Sequence, residues 1–185
     1  MLWPMTGLPW VATSPNIPTI ERALSYPGIG LVGETLVNEG RGTTSPFTQF
    51  GAPWLAAEKV AESLNAHQLP GARFEATTYI PLSIANVAAN PRFAGERVRA
   101  VRITITDIAH YQPVEVGVHA LAKLQKQAVA HSVNLFGSLG MLNSVSGTTR
   151  LHQMLTRHAS GGEIAASWSG ENAAFRALRQ RYLLY

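Results

Sequence analysis

The chain has no cysteine in its 185 residues, so disulfides, thiolate nucleophiles, zinc–thiolate sites and iron–sulfur clusters are excluded together. Charge is also scarce. Asp, Glu, Lys and Arg make up 14% of the chain, and aspartate occurs once, at Asp107. No apolar run approaches the roughly 18 residues a membrane-spanning helix requires. The first residues, MLWPMTGLPWV, offer neither a basic start nor an apolar stretch of signal-peptide length, so no targeting signal is visible and the compartment stays open. HExxH, GxxxxGK[ST], GxSxG and a strand-bound GxGxxG are all missing, which leaves zinc peptidase, P-loop, α/β-hydrolase and dinucleotide chemistry without local support. No cofactor is expected. His67, His110, His119, His131, His152 and His158 include no pair with both ligand spacing and a carboxylate companion. They read as surface or capping histidines, and no metal site is expected.

The net charge of +4 and pI near 9.8 imply a mild attraction to anions. The densest basic group, Arg92, Arg97, Arg99 and Arg102, falls on both faces of one strand and has no aromatics interleaved with it. That pattern does not suit nucleic acid.

What is present is a globular composition: 46% hydrophobic residues and a mean hydropathy of +0.04. A chain of this length buries about two thirds of its unfolded surface. With no repeat or linker, residues 1–185 read as a single compact domain. The order of elements gives an α/β fold, a mixed β-sheet flanked by helices. Residues 18–24 form a short helix and Ile29-Gly30-Leu31-Val32 a buried strand. Trp54, Ala57, Val60, Ala61 and Leu64 mark an amphipathic helix over 54–66. Residues 73–80 form a strand, and Val101, Ile103 and Ile105 alternate with Arg102, Thr104 and Thr106 in a second, closed by Asp107. Pro113 opens a helix whose stripe of Val114, Gly117, Val118, Leu121, Leu124 and Ala128 runs to about residue 130. Residues 132–149 loop around a short element, and 151–157 are helical. Ser160-Gly161-Gly162-Glu163 has capping-box spacing and starts a last helix expected to bury Ile164, Trp168, Phe175 and Leu178, with a docked tail.

Any catalysis must rest on carboxylates. Glu58, Glu62, Glu115, Glu163 and Glu171 belong to helix starts or solvated faces. Glu34, Glu39, Glu75, Glu96 and Asp107 fall near strand ends or loops, where sites are built. Glu39 stands out in Asn38-Glu39-Gly40-Arg41-Gly42-Thr43-Thr44-Ser45-Pro46-Phe47. The two glycines allow positive φ or a close ligand approach, and Thr43 and Thr44 add donors. Arg41 can clamp a carboxylate in bidentate fashion, with Glu39 orienting it or accepting sugar hydroxyls. Equally, Glu39 and Arg41 can be a self-contained ion pair that pins a loop. Trp54 in Gly51-Ala52-Pro53-Trp54 is read either as core packing or as a sugar-stacking platform.

Five stretches together resemble the C-terminal half of the bacterial exo-β-N-acetylmuramidases, in the same order. They are Thr6–Val11, Ser14–Thr19, the Asn38–Phe47 loop with Gly51-Ala52-Pro53-Trp54, the strand end Thr104-Ile105-Thr106-Asp107, and Phe175 with Arg181-Tyr182-Leu183-Leu184-Tyr185. The resemblance implies a peptidoglycan-recycling glycosidase that removes non-reducing-end N-acetylmuramic acid from wall fragments. The active site of such enzymes lies in a cleft between a Rossmann-like N-terminal half and a smaller C-terminal half. It also implies muropeptides and N-acetylmuramic acid–N-acetylglucosamine fragments as partners, and often a periplasmic or secreted location. The family's glutamate-histidine-glycine motif, which carries its catalytic carboxylate, has no counterpart in this chain. Catalytic residues are therefore unassigned, and the chain is expected to be inactive without an N-terminal half in cis or trans, as a truncated product, a separately encoded half or an excised domain. Expected substrate-binding residues are Glu39, Arg41, Thr43, Thr44, Trp54 and Asp107. Ser45 stands where the family often has arginine, Thr48 where it often has glutamate, and the stretch 80–97 is longer than usual. A binding module without catalysis and a structural remnant with an exposed apolar face are the alternatives.

Overall fold

A computed structural model describes residues 3–137 and 139–183. Three strands, β1 (Gln49–Ala52), β2 (Ala72–Tyr79) and β3 (Val98–Ile105), form one sheet in the order β1-β3-β2. The α/β class is as expected, but both pairings are antiparallel rather than mixed, with Gly51 opposite Ala100 and Phe74 opposite Ile103. β1 escapes the sequence reading because it has only four residues, all buried, and so no alternation to display. Asn38 adds a further bridge, exchanging backbone hydrogen bonds with Gly51 at 2.9 and 2.8 Å. This places the start of the glycine-rich loop at the free edge of β1.

Helix α1 (Ile20–Gly33) corrects the reading of residues 18–32. The expected strand at Ile29–Val32 is the second half of this helix, which continues through Pro27. Proline removes one helical N–H and is costly inside a helix. Here the loss is offset by burial of Gly28, Ile29, Leu31 and Val32 against the rest of the core. Those positions, 28, 29, 31 and 32, also fit helical spacing. Thr19 caps the start, its hydroxyl accepting from the Arg22 backbone N–H at 3.4 Å.

α1 packs on the long helix α3 (Pro113–Ala130). Gly28 and Gly117 face each other at the crossing, and a Cβ on either residue would fall within 2.5 Å of a backbone oxygen of the other helix. Only glycine lets the backbones approach this closely. The apolar stripe expected of α3 is buried at Gly117, Val118, Leu121, Leu124 and Ala128, while Val114 is exposed. α2 (Ala57–Asn65) covers β2 and β3 through Ala57, Val60, Ala61 and Leu64, with Asn65 hydrogen-bonding both backbone groups of Phe74. This helix begins three residues after the expected Trp54.

Short helices α4 (Leu139–Ser146), α5 (Arg150–Thr156) and α6 (Gly161–Ala166) complete the body. The capping box is formed: Ser160 Oγ accepts from Glu163 N at 3.2 Å, and Glu163 Oε2 accepts from Ser160 N at 2.8 Å. The last helix then breaks at Ser167–Trp168 and resumes as α7 (Ser169–Arg179). Ile164 is buried and Trp168 packs partly against the core, as expected. Phe175 and Leu178 are not buried: α7 has no buried residue, and these side chains are 61% and 46% exposed. Tyr182 and Leu183 of the expected docked tail are exposed as well, while Leu184 and Tyr185 lie outside the described residues. His119 also departs from the surface reading. It is buried in α3 with its ring 4.5 Å from that of His67, against the backbone of Gly161.

Candidate functional site

The loop after Asn38 curls back on itself. Phe47 N–H donates to the Glu39 carbonyl at 2.8 Å, closing the turn, and Gly40 (φ 86°) and Gly42 (φ 80°) take left-handed conformations inside it. A Cβ on Gly40 would strike the Ser45 carbonyl oxygen at 2.5 Å, so the loop requires glycine there for space as well as for φ.

Asn38, fully buried, is its anchor. The side-chain oxygen accepts from Gly40 N–H at 2.7 Å and from the Tyr79 hydroxyl at 2.8 Å. The side-chain nitrogen donates to the Arg41 carbonyl at 3.2 Å and to the Arg92 carbonyl at 2.9 Å. One amide thus ties together the glycine-rich loop, the end of β2 and the segment leading into β3.

Glu39 points under Arg41, with Oε1 at 3.1 Å from Nη1. The glutamate side chain is 7% exposed and the arginine side chain 46%. Beneath the guanidinium lies the ring of Phe47, 5.2 Å from Arg41 Cζ, itself edge-on to Tyr26 at 4.9 Å. An ion pair on an aromatic floor, buried at the acid and open at the base, holds Arg41 in place and presents its remaining donors outward. Burial pushes the Glu39 carboxyl above its usual pKa, an effect that the charges of Arg41 and Arg92 oppose. Tyr79 is pushed up too, by burial and by the negative charge on Glu39, so its hydroxyl stays a donor to Asn38.

Two clefts meet at Arg41. One, about 300 Å³, is lined by Tyr26 and Gly30 of α1 and by Glu34 just past its end, and floored by Phe47. The other, about 290 Å³, is lined by Gly33, Glu39, Arg41, Asn90, Pro91 and Arg92. Gly33 and Arg41 belong to both.

The other expected residues are placed differently. Thr43 turns its hydroxyl into the loop, donating to the Gly40 carbonyl at 2.6 Å and accepting from Ser45 N–H and Gln49 Nε2, both at 3.0 Å. Its part is to brace the loop. Thr44 is exposed, and its carbonyl accepts from Arg22 Nη2 on α1. Trp54 is half-buried against the core with its ring 6.2 Å from that of His131, and it lines neither cleft. Asp107 lies two residues past the end of β3, seven beyond Ala100, which is level with Gly51 and Asn38. At about 3.3 Å per residue that is roughly 23 Å from the loop. Its carboxylate is taken up by His110 Nδ1 at 2.7 Å and Ala109 N–H at 2.9 Å, which hold it below the usual carboxylate range. Among the described residues no cluster of three metal-ligating side chains occurs.

Sequence reading missed Arg92, Tyr79 and the anchoring role of Asn38. Arg92 and Arg97 precede β3 instead of belonging to it, and only Arg99 and Arg102 of that basic group lie on the strand. Tyr79 had a weak signal, as an aromatic residue at a strand end.

A buried glutamate under an outward-facing arginine, at the meeting of two clefts, is the geometry carried by one of the five stretches on which the family resemblance rests. Residues 24–185 match the family model of the exo-β-N-acetylmuramidase NamZ, C-terminal part. The chain belongs to this family. It is 29% identical over 180 residues to the peptidoglycan β-N-acetylmuramidase NamZ of Bacillus subtilis (strain 168), a match covering 97% of this chain and 41% of that protein. A crystal structure of a DUF1343 family protein from Bacteroides fragilis superposes with a TM-score of 0.86 at 28% identity, over all of this chain and 47% of the other. A second such protein from the same organism gives 0.65 at 26%, over 94% and 43%. The chain therefore spans less than half the length of each relative it matches, and corresponds to the C-terminal part of the family.

Proposed function

We propose that this chain forms the substrate-cleft wall of an exo-β-N-acetylmuramidase that removes non-reducing-end N-acetylmuramic acid from peptidoglycan fragments. In this reading Arg41 binds the lactyl carboxylate of that sugar, and Glu39 holds Arg41 in place. The observation that carries the proposal is the Glu39–Arg41 pair at the junction of the two clefts, with the acid buried and the base half exposed. Glu39 consumes one edge of the guanidinium; the donors left over suit a carboxylate. The catalytic carboxylate comes from a Rossmann-like N-terminal half, in cis or in trans, so this chain alone binds and does not hydrolyse.

The test is incubation of the purified chain with a chromogenic N-acetylmuramic acid glycoside, alone and with the N-terminal half of a relative added. Release of chromophore only on mixing is expected, and its loss in Arg41→Ala assigns the arginine. Silence in both tubes from a folded chain rejects catalysis by complementation and leaves the binding module, which would then have to show affinity for muropeptides by itself.

A further inference from the structure

We infer that Arg92 is the second arm of a carboxylate clamp, facing Arg41 across the cleft lined by Gly33, Asn90 and Pro91, and that this clamp distinguishes N-acetylmuramic acid from N-acetylglucosamine. The inference rests on the reading of Arg41 just proposed and adds the residue that would make it selective. Arg92 is exposed, lines the same cleft as Glu39 and Arg41, and makes no side-chain hydrogen bond or ion pair within 4 Å among the described residues. Its backbone carbonyl is held by Asn38 Nδ2 at 2.9 Å, which fixes the Arg92 backbone beside the Glu39–Arg41 loop.

The charges of this cleft do not balance. Among the residues lining it, Glu39 pairs with Arg41 at 3.1 Å and the Arg92 guanidinium has no ion-pair partner among the described residues; Glu34 lines the neighbouring cleft and not this one. A single carboxylate fits that deficit, bridging Arg92 and the free donors of Arg41. The backbone positions from which the two arginines project are set by the molecule itself, because Asn38 Nδ2 holds the backbone carbonyls of both residues, at 3.2 and 2.9 Å. A fixed backbone leaves only the two side chains to order when a small anion binds. N-acetylglucosamine lacks the lactyl carboxylate and would leave both guanidinium groups unmatched.

The experiment is an NMR titration of the full chain with N-acetylmuramic acid and, separately, N-acetylglucosamine, for the wild type, Arg41→Gln, Arg92→Gln and Arg92→Lys. The exposed Arg92 side chain packs against nothing that folding needs, so its variants are expected to fold. A charge-assisted hydrogen bond is worth enough that Arg92→Gln should weaken N-acetylmuramic acid roughly ten-fold or more and leave N-acetylglucosamine unchanged. Arg92→Lys should fall between, keeping charge without the fork. An Arg92→Gln protein that binds N-acetylmuramic acid as the wild type does, while Arg41→Gln does not, overturns the clamp and leaves the Arg41 reading standing. Equal weakening of both sugars by Arg92→Gln also overturns it. A wild type that treats the two sugars alike overturns both.

Discussion

Alanine at Gly28 should cost the protein several degrees of thermal stability, although alanine is the better helix former. A Cβ at Gly28 would lie 1.9 Å from the Pro113 carbonyl oxygen and 2.7 Å from its carbon. Comfortable heavy-atom contact is about 3.5 Å, so the α1 and α3 backbones would have to separate by more than about 1 Å. No rotamer change relieves this, because the obstacle is backbone. Moving α1 outward loosens Ile29 and Val32, both fully buried, from the core they share with Leu121 and Leu124. Overpacking of this kind costs about 1–3 kcal/mol or more, against a gain of at most about 1 kcal/mol in helix propensity. A net loss of about 2 kcal/mol corresponds to a fall of roughly 4–8 °C in Tm for a chain of this size. The control is Gly170→Ala in α7, where a Cβ meets nothing within 4 Å and the propensity gain stands alone. Thermal unfolding followed by circular dichroism compares them. If Gly28→Ala melts at or above the wild type, the close crossing of α1 and α3 is wrong.

Three further outcomes are expected. Burial, the neighbouring His67 and the Lys123 charge lower the pKa of His119 to about 4, and among these facing groups there is no carboxylate to hold a proton. The unfolded chain then binds a proton that the folded one refuses, so stability falls as pH drops from about 6.5 towards 4. Urea unfolding across that range should be flatter in His119→Asn, and a wild type with no loss over this range would refute the burial of the imidazole. Glu39→Gln should hold stability within about 1 kcal/mol, since an isostere avoids the cost of a buried charge, yet weaken N-acetylmuramic acid binding by freeing Arg41; collapse of the fold would make the pair structural. Phe175→Asp should leave Tm nearly unchanged, because the side chain is 61% exposed on a helix with no buried residue, while abolishing chromophore release on mixing with an N-terminal half. Full complementation by the variant would remove α7 from any contact with that half.

Where one face of an element is buried and the other wet, period and position agree, and the reading of α2, α3, β2 and β3 is close to what forms. The Ser160–Glu163 box is equally local. Failures occur where tertiary contacts outvote local rules. Pro27 and the apolar Ile29–Val32 look like a stop followed by a strand, but Gly28 and Gly117 create a helix crossing whose burial exceeds the cost of the proline. In α7 the apolar spacing of Phe175 and Leu178 is right for a buried face, and nothing in the described residues covers it. At the site, Glu39 and Arg41 are two residues apart in sequence and therefore legible. Arg92 was not, because its position depends on a hydrogen bond from Asn38, 54 residues away in the chain. Asp107 differs for the opposite reason: a lone carboxylate at a strand end is easy to read from sequence, but only the register shows that it lies at the end away from the Glu39–Arg41 loop.

β2 and β3 stay paired as far as Tyr79 opposite Val98, so residues 80–97 are the crossing between two strands of a finished hairpin. This segment is tethered at a few points, among them Leu82 N–H to the Gly42 carbonyl at 2.8 Å, Asn16 Nδ2 to the Val87 carbonyl at 2.8 Å, and the Asn38 bond to Arg92. None of these tethers is a sheet bond. Its length and side chains can therefore drift over generations without disturbing strand register or core, provided Asn38 still catches one carbonyl. The strands and core that fold the chain are thus separate from the outer segment that carries Arg92. Related proteins can diverge in what they grip by rewriting the outer segment while retaining the same glycine-rich loop beneath it.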